Sequence, residues 1–264
     1  MAKRSACRVS TSIRQPTRSG KAAPTDAPPA GILRRANPPG APVTDDRDER
    51  CLDILSGLAT YFDSPFVADV AATLSRHREP DLGHALNPNQ IASKRWLADA
   101  LVDAAGGRFG TVTVLGGWFG VLAALLLDDR RLAIGRVVSV DIDPRCAEVA
   151  RSLNATHVKS GRFAALTADM HAIAYPPPVA AGADPDLVVN TSCEHLADFA
   201  AWFGKVPPGQ LLALQSNDYH AIAEHVNCVP DLAAFRAQAP LADLLFSGEQ
   251  PRKRYRRFML IGRK

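Results

Sequence analysis

The sequence lacks any apolar run approaching the ~18 residues of a membrane span. Its most apolar stretch, Phe119 to Leu127, is cut short by Asp128-Asp129-Arg130-Arg131. No membrane partner is therefore expected, and no apolar core of a secretory signal follows Met1. Cysteine is sparse. The five thiols, Cys7, Cys51, Cys146, Cys193 and Cys228, are odd in number, scattered and free of any CxxC pair. That speaks against a disulfide framework and for a cytoplasmic, reducing setting. The GxxxxGK(S/T) phosphate loop is missing, and so is the GxGxxG fingerprint of dinucleotide folds. Both absences disfavour ligands held by a pyrophosphate.

A basic face on the folded part is missing too. The net charge is +4, but residues 1–50 hold ten Lys/Arg against five acids, so they carry +5 and the remaining chain −1. A domain built to hold a nucleic-acid backbone needs basic charge of its own. Nucleic acid is thus a partner that the composition does not indicate. Residues 1–48 are rich in Pro, Ser, Ala and Arg and show no apolar period, which predicts a disordered leader.

What is present begins with helices. Over 49–106, Leu52, Leu55, Leu58, Ala59 and Phe62 fall at helical spacing. A second helix is expected at Ser64-Pro65, where Ser can cap and Pro can open the first turn. Glu79-Pro80-Asp81-Leu82-Gly83 breaks the pattern, and Ile91 to Val102 forms a further amphipathic helix, stopped by Gly106-Gly107. This segment is read as a helical cap, with Lys94, Arg95 and Trp96 as candidates to cover a ligand.

From residue 107 strands and helices alternate. Strands are predicted at Thr111–Leu115, Arg136–Asp141, Arg162–Leu166, Asp186–Val189 and Leu211–Leu214. Helices are predicted at Val121–Leu127, from Pro144 to Leu153, at Ala197–Phe203 and from Asp231 to Gln238. Leu244–Phe246 and Arg257–Ile261 close the chain as an antiparallel edge hairpin. Such alternation predicts an α/β fold, a parallel sheet with helices on both faces.

Four motifs stand at strand ends. Gly116-Gly117-Trp118-Phe119-Gly120 follows the first strand, with GGxxG spacing that lets a ligand lie against the main chain. Asp141, in Val140-Asp141-Ile142-Asp143-Pro144, follows Gly116 by 25 positions and ends the second strand, where a carboxylate can accept ribose hydroxyls. Asp169 ends the third. Asn190-Thr191-Ser192-Cys193-Glu194-His195 follows the fourth, with His195 a candidate general base and Glu194 its orienting partner.

This order of motifs resembles class I S-adenosylmethionine-dependent methyltransferases over residues 108–264. The resemblance implies a Rossmann-like, seven-stranded, mostly parallel sheet with an antiparallel last strand. It implies S-adenosyl-L-methionine as cofactor, with Gly116, Gly117 and Gly120 along its methionine part, Asp141 (with Asp143 beside it) at the ribose, Asp169 at the adenine, and Asn190 at the end of the fourth strand. Residues 190–264 also look like methyltransferase-like proteins of phage and bacterial genomes. The Asn/Asp-Pro-Pro-aromatic tetrad of amino-group methylases is absent, which points away from nucleobase or glutamine amines and towards a small-molecule acceptor with an O, N or S nucleophile.

Polar residues crowd the region after the fifth strand as well. Asn217, Tyr219, His220, Glu224 and His225 are candidates to touch that acceptor. Transfer of the aminocarboxypropyl arm, as in nicotianamine synthase-like proteins, and a non-catalytic cofactor-binding module are the alternatives. A zinc site from Cys193, His195, His220, His225 and Cys228 is weighed and not expected, because CxH and HxxC match no compact zinc pattern. The run Arg252 to Arg257 reads as a solvated hairpin turn or as a contact for an acidic group. The sequence sets no oligomeric state.

Overall fold

The computed structural model describes residues 46–78, 81–175 and 184–264. The leader expected over 1–48 lies outside these residues except for its last three, which open the first helix, and Glu79 and Pro80 of the expected break lie outside as well.

Helices α1 (Asp46–Phe62), α2 (Pro65–Arg76), α3 (Leu82–Ala85) and α4 (Pro88–Ala105) precede the sheet. Their boundaries follow from caps. The Ser64 hydroxyl accepts from Val67 N at 3.3 Å with Pro65 behind it, and the Asn87 carbonyl accepts from the Asn89 and Gln90 amides, each at 3.0 Å. Helix α4 stops at Gly106, whose φ of 75° lies in the left-handed region.

Strand β1 (Arg108–Leu115) starts the sheet, followed by α5 (Val121–Asp128), β2 (Ala133–Asp141), α6 (Pro144–Leu153), α7 (Ala155–Lys159), β3 (Phe163–Thr167) and β4 (Leu187–Asn190). Then come α8 (Phe199–Lys205), β5 (Leu211–Asn217), α9 (Leu232–Gln238), β6 (Asp243–Pro251) and β7 (Arg256–Arg263). The seven strands lie in the order β3-β2-β1-β4-β5-β7-β6. Strands β1 to β5 pair in parallel, and β7 runs antiparallel to both β5 and β6. The predicted seven-stranded, mostly parallel sheet with a reversed last strand is thus present.

Side chains alternate across this sheet with the two-residue period of strands. Val112, Val114, Leu187, Val189, Ala213, Met259 and Ile261 pack on one face, against α4 and α5 through Leu97, Leu101, Leu122 and Leu126. Leu115, Val140, Val188, Leu212, Leu214, Phe258 and Leu260 pack on the other, against α8 and α9 through Phe199, Trp202 and Phe235. With both faces covered, every residue of β4 and β5 is buried. Helix α4 belongs to this core, so the helical segment is anchored to the sheet rather than resting loosely over it.

Strands β1, β2, β5, β6 and β7 are longer than the apolar pattern suggested. Strand β1 begins at Arg108 because Arg108 and Phe109 pair with Ala133 and Ile134. Strand β6 extends to Pro251 because the whole hairpin pairs with β7, through an irregularity between Leu244 and Phe246. Pairing overrides the weak strand preference of Gly248, Glu249 and Gln250.

The strand order reverses between β1 and β4, so the crevice opens at their carboxyl ends. Register aligns those ends in one row: Leu115 lies beside Val140 and Asn190, Asn190 beside Leu214, and Asp141 beside Thr167. Residues that follow this row share one edge.

Candidate functional site

A cavity of about 810 Å³ opens along that edge. On the side of β1, β2 and β3 it is lined by Gly116, Gly117, Trp118, Asp141, Ile142 and the segment Ala168–His171. The turn after β1 is tightly held. Gly117 N donates to Val140 O at 3.0 Å, and Trp118 N donates to Asp141 Oδ2 at 2.8 Å. Gly116 (φ 59°) and Gly120 (φ 74°) adopt left-handed backbone. A Cβ on Gly120 would meet Asn154 Nδ2 at 2.7 Å, so only glycine lets the turn pass this close to α6. Trp118, which lines the cavity, also holds a positive φ, 48°, an uncommon conformation for a bulky residue.

Asp141 accepts one backbone N–H on each oxygen, Trp118 N on Oδ2 and Asp143 N on Oδ1 at 3.0 Å. The carboxylate is therefore fixed in orientation. Each oxygen keeps further acceptor capacity towards the cavity. Asp169 Oδ1 accepts from His171 N at 2.8 Å. The segment after it is tied from behind: Trp202 Nε1 donates to Tyr175 Oη, which donates to Met170 O, both at 2.8 Å. Trp202 is fully buried, so the core positions this wall of the cavity.

On the side of β4, β5 and β7 the lining turns polar. Thr191, Ser192, Glu194 and His195 come from the turn after β4, Gln215 and Asn217 from β5, Tyr219, Ile222 and His225 from the loop that follows, and Tyr255 and Arg257 from the final hairpin. An ion pair organises this half. Arg257 Nη1 lies 2.8 Å from Glu194 Oε1, with side-chain exposures of 11% and 3%. Asn217 Nδ2 donates to the same Oε1 at 2.6 Å. Arg257 also donates to Thr191 O and, at 3.4 Å, to Gln215 Oε1. One guanidinium thus ties β7 to β5 and to the turn after β4. Glu194 Oε2 is buried and has no hydrogen-bond partner among the described residues.

Two histidines stand beside it. His195 Nδ1 is 3.1 Å from Glu224 O, and His225 Nδ1 is 2.7 Å from Tyr219 O. A backbone carbonyl can only accept, so each Nδ1 carries the proton and each Nε2 keeps its lone pair when the ring is neutral. The rings meet edge to face at 4.6 Å. Tyr219 and Tyr255 stack at 5.3 Å on the same wall.

The first turns of α4 complete the cavity with Asn87, Asn89, Gln90, Ser93 and Lys94. Lys94 Nζ donates to Gln90 Oε1 at 2.6 Å. Burial, with the Arg257 guanidinium nearby, lowers its pKa to about 7. Of the lid candidates Lys94 alone lines the cavity: Arg95 is exposed, and Trp96 packs edge to face on Phe246 at 6.1 Å.

The other sequence candidates divide in the same way. Gly116, Gly117, Asp141, Asp169, Glu194, His195, Asn217, Tyr219 and His225 line the cavity, whereas Gly120, Asp143, Asn190, His220 and Glu224 do not. Asp143 caps α6, accepting from Arg145 N at 2.9 Å and pairing with its guanidinium at 2.6 Å. Asn190 is buried, and its Oδ1 accepts from Ser192 N at 3.0 Å, shaping the turn after β4. Glu224 contributes its backbone carbonyl to His195, and His220 is exposed. Cys193 is fully buried, with its thiol pushed well up by burial, next by the Glu194 charge. Trp118, Ile142, Gln215, Tyr255 and Arg257 are lining residues that sequence motifs did not single out as site residues. Ile142 carried a signal, an apolar residue left 70% exposed directly after Asp141.

No protein-family model matches the chain, and no curated protein matches it. Solved structures do. The chain is similar to the N-methyltransferase NodS from Bradyrhizobium japonicum WM9, with a TM-score of 0.50 and 12% identity over 68% of this chain and 99% of that one. It is similar to the cyclase SpnF, with a TM-score of 0.50 and 12% identity over 66% of this chain and 82% of that one. At this identity the likeness concerns the fold alone, a Rossmann-like α/β sheet. Among the described residues no helix is long and apolar enough to cross a membrane.

Proposed function

We propose that this chain is an S-adenosylmethionine-dependent methyltransferase acting on a small-molecule acceptor through an O, N or S nucleophile. The carrying observation is one continuous cavity at the switch point of the sheet. The glycine turn and Asp141 lie on one side of it, and the Glu194–Arg257 pair with two histidines on the other. Its volume of about 810 Å³ suits a cofactor and a modest acceptor together.

The residues on the β1–β2 side fit the cofactor. Gly116, with no Cβ, lets its methionine part approach the main chain, and the fixed Asp141 carboxylate accepts the ribose hydroxyls. Ile142 offers an exposed apolar face, and Asp169 an edge acceptor, to the adenine. The absence of a GxGxxG turn agrees with a ligand that has no pyrophosphate. When bound, the cofactor supplies an electrophilic methyl group on a sulfonium. Methylation of an O–H, N–H or S–H nucleophile there would release a proton, with the sulfonium's bonding pair left on sulfur.

The protein's share is orientation and handling of that proton. Arg257 fixes the Thr191–His195 turn, and His195 and Glu194, whose Oε2 has no partner among the described residues, line the acceptor side and can take that proton. Tyr219, Ile222 and Tyr255 give the acceptor an apolar wall. The four thiols among the described residues are free, in keeping with a cytoplasmic setting.

The test is product analysis. Purified protein incubated with methyl-labelled S-adenosylmethionine and a small-molecule extract should yield labelled product and S-adenosylhomocysteine in equal amounts. Methylthioadenosine in its place would mean transfer of the aminocarboxypropyl arm and would overturn the reading.

A further inference from the structure

We propose that Glu194, His195 and His225 form a site for one divalent transition-metal cation inside the cavity, and that this cation holds the acceptor by the oxygen it presents for methylation. The inference rests on the methyl-transfer reading for its chemistry, and on independent geometry for its location. One potential ligand atom from each of the three residues lies within 4.8 Å of those of the other two. Ligands about 2.1 Å from a common cation stand about 3.4 Å apart, so shifts of about 1 Å close the set. His195 is exposed and able to make that shift.

Two features make this more than proximity. First, both imidazoles have Nδ1 held by a backbone carbonyl, Glu224 O and Tyr219 O. Outer partners of this kind fix the tautomer and present Nε2 as a ligand. Second, Glu194 is held by one oxygen only. Oε1 takes both Asn217 and Arg257, while Oε2 is buried with no partner. A buried carboxylate oxygen without a donor is costly unless something binds it. A cation is a suitable occupant, since with Nδ1 held by a carbonyl each imidazole, when neutral, has a lone pair at Nε2 to offer.

Two nitrogens and one oxygen suit zinc, manganese or iron better than magnesium or calcium, which prefer oxygen sets. Three protein ligands leave coordination positions open, as in catalytic rather than structural sites. A weakly acidic hydroxyl bound there would lose its proton at lower pH, passing it to solvent water at the exposed His195, and the acceptor oxygen would then be ready to attack the methyl carbon. The His195 and Glu194 lone pairs would hold the cation and not the proton. The adjoining wall of Tyr219, Ile222 and Tyr255 suits a planar hydroxylated acceptor such as a phenol or enol. The positive charge of Arg257, bound to the same carboxylate, weakens the site, so moderate affinity is expected.

The experiment uses the full chain, stripped with a chelator and titrated with Co²⁺ as an optical probe and with Zn²⁺ by equilibrium dialysis. One saturable equivalent per chain is expected, weakened at least about tenfold in both His195→Ala and His225→Ala, with Cys228→Ser unchanged. S-adenosylhomocysteine affinity, measured on the same samples, should stay within about twofold, which also reports that the variants are folded. No saturable binding, or binding that survives the double histidine variant, overturns the metal site. If the homocysteine product binds while metal does not, this inference alone falls; if metal binds while the product does not, the methyltransferase reading falls instead.

Discussion

Replacing Arg257 by Met removes the guanidinium and keeps most of the stem. In the native protein this group meets Glu194 Oε1 at 2.8 Å, Gln215 Oε1 at 3.4 Å and the Thr191 carbonyl. After the change, Glu194 keeps only the bond from Asn217, and its side chain is 3% exposed. Breaking a buried pair from one side leaves an uncompensated charge and costs about 3–5 kcal/mol. Glu194→Gln should cost a similar amount, because Arg257 is then the stranded partner. The double variant removes both charges of the pair and strands neither, so its loss should fall short of the sum of the singles by at least about 2 kcal/mol. Urea unfolding of the four proteins at pH 7 measures the cycle. A single-variant loss under about 1 kcal/mol, or additivity within about 0.5 kcal/mol, would refute the view that this pair anchors the acceptor side of the cavity.

Other outcomes follow from the same contacts. Gly120→Ala should cost at least about 2 kcal/mol, since a side chain at φ 74° is strained and its Cβ would meet Asn154 Nδ2 and Ala150; a loss below about 0.5 kcal/mol by denaturation would contradict the close approach. Lys94, with a folded pKa of about 7 against 10.5 for the free amine, binds fewer protons when folded than when unfolded between these values. Wild-type stability should therefore gain from this group as pH rises from 7 towards 10. Lys94→Met, which never buries an ammonium, should hold its greatest advantage at pH 6 and lose it progressively by pH 10; an advantage independent of pH would mean no linkage and contradict the lowered pKa. A maleimide at pH 8 should label exposed Cys51 quickly by peptide mapping. Cys146, its thiol pushed up to about 12 by burial and then by Asp141, and fully buried Cys193 should react only after unfolding.

What the sequence revealed was what is local. The turn Gly116–Gly120 and the end of β2 at Asp141 are adjacent in sequence to the elements that shape them, and so are the caps Ser64 and Gly106. The second half of the site was legible as a list of polar residues and not as an arrangement. Arg257 reaches Glu194 across 63 positions because β7 inserts beside β5, and pairing across a sheet leaves no local trace. His195 and His225 come from two loops whose approach depends on the carbonyls of Glu224 and Tyr219. Asp143 illustrates the opposite error: the DIDP pattern drew both acids towards a ligand, while the second serves the amide of Arg145 at the start of α6. Exposed Arg256, paired with Asp218 at 3.0 Å, and inward Arg257 differ only by the alternation of a strand, so a basic run hid one site residue.

The central claim is that Asp141 and the glycine turn hold S-adenosylmethionine. Calorimetric titration of wild type and Asp141→Asn with S-adenosylhomocysteine, with NAD as a control ligand, tests it directly. One saturable site is expected in wild type, with weakening of about tenfold or more in Asp141→Asn as charge-assisted hydrogen bonds to the ribose are lost, and no comparable binding of NAD. Equal affinity in the two proteins, or no heat with the wild type, would contradict it.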